Sequence, residues 1–120
     1  MAYTNIDDPS AYFQTAIYSG SNSDLSVTND GNSDLKPDWL WIKQRSSTEN
    51  HMVVDSTRGV TKYLSTDSTG AEATVTSRVA SLDTDGFTLN GASNPVNALG
   101  ATYVGWQWKA NGGTTSSLSN

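Results

Sequence analysis

Short apolar runs in which every second residue is hydrophobic recur along the chain, and clusters of Gly, Asn, Asp and Ser separate them. A period of two is typical of strands, and turn-forming clusters between such runs favour antiparallel pairing. The predicted strands span residues 13–18, 25–28, 39–43, 52–54, 63–64, 73–82, 86–89 and 102–109. The pattern therefore predicts an all-β fold, a two-sheet antiparallel β-sandwich or jelly roll, with a small barrel as the alternative.

A single helix signal stands near the start of the chain. Asp8 is a suitable N-cap, and Pro9 suits the first helical position because its missing N–H has no partner there anyway. We expect one short helical turn near residues 9–12.

The tryptophans of two predicted strands are expected to have different environments. In 39–43, Trp39 and Trp41 share one face, and apolar residues on the other face indicate a strand covered on both sides. In 102–109 the bulky residues Trp106 and Trp108 alternate with small or polar ones, so we expect those two in the core and Gln107 pointing away from it. Trp39 and Trp41 are then the better candidates for exposed aromatic residues.

The composition fits one domain and excludes several kinds of site. The chain has 120 residues, which suffices for one core, and we assign 1–110 to a single domain and 111–120 to a flexible Gly/Ser/Thr linker-like tail. Cys is absent and there is one His, which excludes disulfides, thiolate chemistry and His clusters. The net charge of −5 with scattered basic residues argues against nucleic acid. No apolar stretch or export signal suggests membrane insertion or secretion, so we expect synthesis in the cytoplasm.

Neither catalysis nor metal binding is expected from the residue pattern. The two glutamates, Glu49 and Glu72, lie in predicted connections rather than as a carboxylate pair on a strand. His51 has Asp55 nearby, but no nucleophile turn accompanies them. We therefore predict no enzyme, no catalytic residue, no cofactor and no metal site.

Two acidic turns carry the remaining candidate residues. The segment 83–86 (DTDG) resembles part of a calcium loop, but it lacks the later ligands, so Asp83, Asp85 and Gly86 are interpreted as a structural turn. In 55–59 (DSTRG) we expect Asp55 to accept backbone hydrogen bonds. Arg58 would pair with Asp55 or with a sheet-edge carbonyl, and Gly59 would supply a permissive φ.

Five blocks, in this order, resemble a domain family of unknown function found in structural proteins of tailed phages, common in marine phage genomes. They are 39–46 (WLWIKQRS), 51–59 (HMVVDSTRG), 62–65 (KYLS), 82–90 (LDTDGFTLN) and 103–110 (YVGWQWKA). The opening 1–13 is also similar to the start of those proteins. Gln107 departs from the family, in which Cys is frequent between the two tryptophans.

The resemblance implies a concanavalin A-like or laminin-G-like jelly roll carried on a virion, without a known activity. We expect a non-enzymatic virion protein, an N-terminal docking and oligomerisation module of a tail fibre or head decoration protein. Its partners would be other virion proteins and further copies of itself. The alternative is a carbohydrate-binding module that recognises a host surface glycan. Interface or glycan contacts are expected from Trp39, Trp41, Tyr12 and Tyr18.

Overall fold

The computed structural model describes residues 6–91 and 95–110. A 3-10 helix spans Pro9–Ala11. The strands are β1 (Phe13–Ser19), β2 (Leu25–Thr28), β3 (Trp39–Gln44), β4 (Met52–Asp55), β5 (Lys62–Tyr63), β6 (Ala73–Thr74), β7 (Val79–Asp83), β8 (Gly86–Leu89) and β9 (Thr102–Trp108). For the described residues, the prediction of an all-β fold with one helical turn is confirmed. The predicted strand 73–82 is wrong in one respect, since residues 75–78 interrupt it and leave β6 and β7 as separate strands.

All strand pairs are antiparallel. The larger sheet has four strands in the order β1-β9-β3-β4, the second has three in the order β2-β8-β7, and β5 pairs with β6 in a two-stranded ribbon. Side chains from the four-stranded and the three-stranded sheets meet in one hydrophobic cluster. The common core supports the prediction of two packed antiparallel sheets.

The core is built from alternate residues of each strand. Leu40 and Ile42 of β3 are fully buried, as are Phe87 and Leu89 of β8. Tyr103 of β9 is the largest fully buried side chain among the described residues. Burial of several such side chains, each worth about 1.5–3 kcal/mol, is the main stabilising contribution of this interface between the sheets.

The orientation of β9 differs from the prediction. Tyr103, Gly105 and Gln107 face the core, whereas Trp106 and Trp108 lie on the opposite face and are partly exposed. A Cβ atom at residue 105 would lie 3.1 Å from the Phe87 ring, so the absence of a side chain lets that ring pack against the strand. The expectation that Trp106 and Trp108 are buried in the core, with Gln107 pointing away from it, was wrong.

Gln107 is fully buried and pairs with a second buried amide. Its Nε2 donates to Asn29 Oδ1 at 2.6 Å, and Asn29 Nδ2 donates back to Gln107 Oε1 at 3.1 Å. Asn29 Nδ2 also donates to the Leu35 carbonyl at 3.2 Å. Each amide therefore offsets the desolvation cost of the other, and together they join β9 to the loop that follows β2.

The start of the described chain is organised around one carboxylate. Asp8 accepts a hydrogen bond from the Ser10 backbone N–H at 3.0 Å, as predicted for an N-cap, and another from the Ser10 hydroxyl at 2.7 Å. Asn32 and Ser33 also donate to this carboxylate, so it connects the helical turn to the loop after β2. These donors, Ser33 first, hold the pKa of Asp8 well below its ordinary value of 3.8.

We expect Asn29→Ala to lower the free energy of unfolding by about 1–3 kcal/mol, because it leaves the buried Gln107 amide without its main partner. Urea denaturation monitored by circular dichroism measures this. Asn50→Ala, at an exposed amide, is the matched control and should change stability by less than about 0.5 kcal/mol. The double variant Asn29→Ala/Gln107→Met should recover part of the loss. An Asn29→Ala variant as stable as the control would contradict the assignment.

Asp8 should make stability dependent on acid pH. Because its pKa is lower in the folded chain than in the unfolded one, its stabilising contribution is present above the unfolded pKa near 3.8 and is lost as the pH falls below it. Urea unfolding between about pH 6 and about pH 2.5 should therefore show Asp8→Asn less stable than wild type at the upper end, with the difference shrinking towards the lower end. Asp34→Asn, at an exposed carboxylate, is the control. A difference that stays constant with pH would refute the role of the Asp8 charge.

Candidate functional site

The outer side of the four-stranded sheet carries a cluster of aromatic side chains. We call it the aromatic face and define it as Phe13, Trp39, Trp41, Trp106 and Trp108. All five are at least partly exposed. The strand register explains the grouping, because Phe13, Trp108 and Trp39 occupy one row across β1, β9 and β3, while Trp106 and Trp41 occupy the next.

The rings contact one another in tilted and edge-to-face arrangements. The centroids of Trp39 and Trp108 are 4.4 Å apart, those of Phe13 and Trp108 4.8 Å, and those of Trp41 and Trp106 5.0 Å. Cross-strand aromatic pairs of this kind stabilise a sheet by about 0.2–1 kcal/mol each. The rings therefore pack against one another across three neighbouring strands of the sheet.

His51 fixes one indole of the aromatic face. Trp41 Nε1 donates a hydrogen bond to His51 Nδ1 at 2.9 Å, and the two rings lie 5.5 Å apart. The backbone N–H of His51 is in turn bonded to the Asp67 carboxylate at 3.1 Å. His51 therefore positions the Trp41 indole. Although Asp55 is close to His51 in sequence, its carboxylate pairs with Arg58.

A cleft of about 580 Å³ opens at the end of the aromatic face. Trp39 and Trp108 form its apolar wall, and Asp38, Asp55, Arg58 and Lys109 are among the residues around them. The Asp38 carboxylate accepts from the Ser56 hydroxyl at 2.9 Å and from the Ala110 backbone N–H at 2.8 Å. The cleft thus combines indole rings with hydrogen-bonding groups held in place by their neighbours.

The predicted turn 55–59 forms one side of the cleft and has the expected bonds. Asp55 accepts from the Arg58 backbone N–H at 2.7 Å and from Arg58 Nε at 2.7 Å, while Gly59 has a φ of +94°. Arg58 Nη2 reaches the Val53 carbonyl at the sheet edge, and Nη1 pairs with Glu72 at 3.0 Å. Burial acts to lower the pKa of Arg58, but the bonds to Asp55 and Glu72 outweigh it and raise that pKa. These contacts and this φ agree with what the sequence pattern led us to expect of the turn.

The second predicted turn connects β7 to β8 and is also structural. Asp83 accepts hydrogen bonds from the Ser81 and Thr88 hydroxyls, each at 2.6 Å. Asp85 accepts from the Leu35 backbone N–H at 3.1 Å, and Gly86 has a positive φ. The two carboxylates therefore face different partners. Within 6–91 and 95–110, no group of three or more His, Cys, Asp or Glu side chains could hold a metal ion.

The candidate contact residues do not all lie together. Trp39 and Trp41 belong to the aromatic face, and Tyr12, 42% exposed, immediately precedes Phe13 of that face. Tyr18 lies elsewhere: it stacks on Tyr103 at 5.0 Å and its hydroxyl donates to the Val96 carbonyl at 2.9 Å. Burial, followed by the charge of Tyr103, raises the pKa of Tyr18.

Sequence reasoning missed Phe13, Trp106 and Trp108 as members of this face. The missing signal was Gly105 between the tryptophans, since a glycine in mid-strand marks the side that a neighbouring element approaches. Asp38 and Lys109 of the cleft carried no local signal, because they come together only through the pairing of β3 with β9.

The chain belongs to the family described as "Domain of unknown function (DUF7483)", whose sequence profile matches residues 8–119. No curated protein and no solved structure matched the chain. No helix in the part of the chain that the structure describes is long and apolar enough to cross a membrane. The residues predicted as a tail, 111–120, lie outside the described residues.

Proposed function

We propose that the chain is a non-enzymatic structural module of a bacteriophage virion that docks a tail fibre or head decoration protein onto other virion proteins. The five sequence blocks that resemble phage structural proteins support the virion setting. Two antiparallel sheets around one core are compatible with the jelly-roll, concanavalin A-like sandwich that this proposal includes. Location on the particle and self-association are parts of the same proposal.

The aromatic face is the observation that carries the docking proposal. Tryptophan is enriched at the centres of protein interfaces, where a few large side chains supply most of the binding energy. Trp41 and Trp106 lie in the middle of the sheet, and Thr15 and Val53 flank them in the same row without charge. Burying such a surface requires no desolvation of unpaired charges.

Polar side chains surround this centre rather than interrupt it. Lys43 follows the tryptophans along β3, and Asp55 of β4 ends the row that contains Trp108 and Trp39. Lys43 Nζ donates to the carbonyls of Gln44 and Ser47, so its charge is held away from the rings. An apolar centre with a polar margin is the usual anatomy of a protein interface.

In particles that carry the chain, the double variant Trp41→Ala/Trp106→Ala should reduce incorporation by about tenfold or more, since loss of two central tryptophans removes the main anchors. Quantitative mass spectrometry of purified particles measures incorporation, and cryo-electron microscopy should show the domain at the particle surface. Leu99→Ala is the matched control, because Leu99 is apolar and 76% exposed but lies away from the sheet face. Normal incorporation of a folded double variant, or a wild-type chain found only in soluble cell extract, would contradict docking.

The cleft favours a second candidate function, recognition of a carbohydrate. A sugar ring has apolar faces that stack on indole rings and hydroxyls that need both donors and acceptors. Trp39 and Trp108 offer the stacking surface, while two acidic and two basic side chains around them offer both kinds of hydrogen bond. Because these charges are balanced, the cleft suits a neutral glycan of a host surface better than an anionic one.

A glycan array probed with the purified chain tests this candidate. We expect a neutral glycan to bind and Trp39→Ala to reduce its binding by about tenfold or more, since ring stacking contributes much of the affinity of such sites. Trp106→Ala is the matched control, because it removes the same kind of side chain from the same face outside the cleft. An array without a specific hit, or equal loss in both variants, would count against glycan recognition.

A further inference from the structure

The two edge strands of the four-stranded sheet differ in whether another segment covers their outer backbone groups. At the β4 edge, Val53 exchanges two backbone hydrogen bonds with Leu64, at 2.9 and 3.1 Å, and Arg58 reaches the Val53 carbonyl. At the opposite edge, β1 pairs with β9 and with no other described strand. One edge is therefore covered, and the other presents seven residues of extended backbone.

The register shows which backbone groups of β1 point outward. Gly20 N–H bonds to the Ala101 carbonyl, and Lys109 N–H bonds to the Tyr12 carbonyl. In an antiparallel ladder, alternate residues bond to a given neighbour, so the even-numbered residues of this segment bond to β9. The backbone N–H and C=O groups that point to the open edge are those of Phe13, Thr15, Ile17 and Ser19. None of these groups bonds to another described residue.

The side chains of β1 do nothing to block this edge. Natural edge strands are usually short, charged, bulged or interrupted by proline, which prevents pairing with another chain. β1 has the sequence FQTAIYS, without charge or proline, and pairs with β9 without a bulge. Ile17, at its centre, is 67% exposed.

We propose that β1 of one copy pairs antiparallel with β1 of a second copy across a two-fold axis at Ala16, joining two four-stranded sheets into one. This rests on the oligomerisation part of the proposed function and names its surface. Only a pairing centred on Ala16 uses all four outward residues of each strand, as Phe13 opposite Ser19 and Thr15 opposite Ile17. It forms about eight backbone hydrogen bonds, two for each of four residue pairs.

A second copy fits the edge better than an unrelated strand because the pairing is self-complementary. On the outer side, Ile17 of each copy lies opposite Thr15 of the other, and pairs of β-branched residues suit adjacent strands. On the inner side, Ala16 lies opposite itself, so small side chains meet at the axis. The strand itself carries no charge, and the acidic side chain beside it is Asp30 of the loop after β2, which lines one pocket with Thr15 and Ile17.

Two strands alone bury less than the roughly 800 Å² per partner of a standard stable interface. The dimer should therefore form in a concentration-dependent way in solution and become strong where copies are held together. Sedimentation equilibrium of the whole chain over a wide concentration range should show a reversible monomer–dimer equilibrium. Under dimeric conditions, hydrogen exchange followed by NMR should show protection of the amides of Phe13, Thr15, Ile17 and Ser19, which is lost on dilution.

Charge-swap variants test the register. Thr15→Lys/Ile17→Lys places two positive charges opposite two more and should weaken dimerisation by about tenfold or more, as should Thr15→Asp/Ile17→Asp. An equimolar mixture of the two variants should restore dimers, because each lysine then faces an aspartate. Recovery in the mixture shows that both variants are folded. Thr76→Lys/Ala80→Lys, at exposed positions near β7, is the charge-matched control and should dimerise as wild type does.

A strict monomer at all concentrations overturns the proposal, and so does a dimer in which the four amides exchange freely. Dimers that survive in the lysine variant but dissociate in Trp41→Ala/Trp106→Ala would place the contact on the aromatic face instead. If the pairing of β1 strands is wrong but the docking function is right, particle incorporation stays intact. The incorporation assay therefore distinguishes failure of the pairing from failure of the proposed function.

Discussion

The close approach of the two sheets at Gly105 determines which side of β9 faces solvent. A Cβ atom at residue 105 would lie 3.1 Å from the Phe87 ring, which is closer than an ordinary van der Waals contact. Because side chains alternate along a strand, fixing Gly105 inward also fixes Trp106 and Trp108 outward. The register of β9 with β3 then places Trp39 and Trp41 in the same rows. One packing constraint in the core thus produces the aromatic face on the surface.

The sequence pattern was sufficient for most strand positions and for the turns, whose residues act locally. Asp55, Arg58 and Gly59 bond within a few residues of one another, so their roles could be predicted from spacing alone. Which face of β9 points into the core could not be predicted in this way, because a period of two defines two faces without showing which one is buried. The large tryptophan side chains favoured burial of their own face. Gln107 is buried instead, because it forms hydrogen bonds with Asn29, 78 residues away in sequence, and periodicity carries no information about such a contact.

The acidic residues of this chain largely hold loops together. Asp8 joins the helical turn to the loop after β2, Asp38 connects β3 to the residues around 56 and 110, and Asp83 and Asp85 bond to different neighbours beside one hairpin. A carboxylate accepts several hydrogen bonds at once, which suits a protein whose connections are long and rich in hydroxyl groups. A small number of carboxylates is therefore enough to hold these loops, because each one accepts hydrogen bonds from several donors.

The aromatic face and the open edge are parts of one surface. Phe13 belongs to both, because its ring contacts Trp108 while its outward backbone groups lie on the unpaired side of β1. A partner strand at this edge would extend the outer face beyond Phe13 and Ile17 without introducing a charge. Two copies joined there would present their tryptophan rows on one continuous sheet. If both copies dock on the same partner through this sheet, the partner holds them close together. Pairing of the two β1 strands is then effectively intramolecular, so its weakness in free solution matters less.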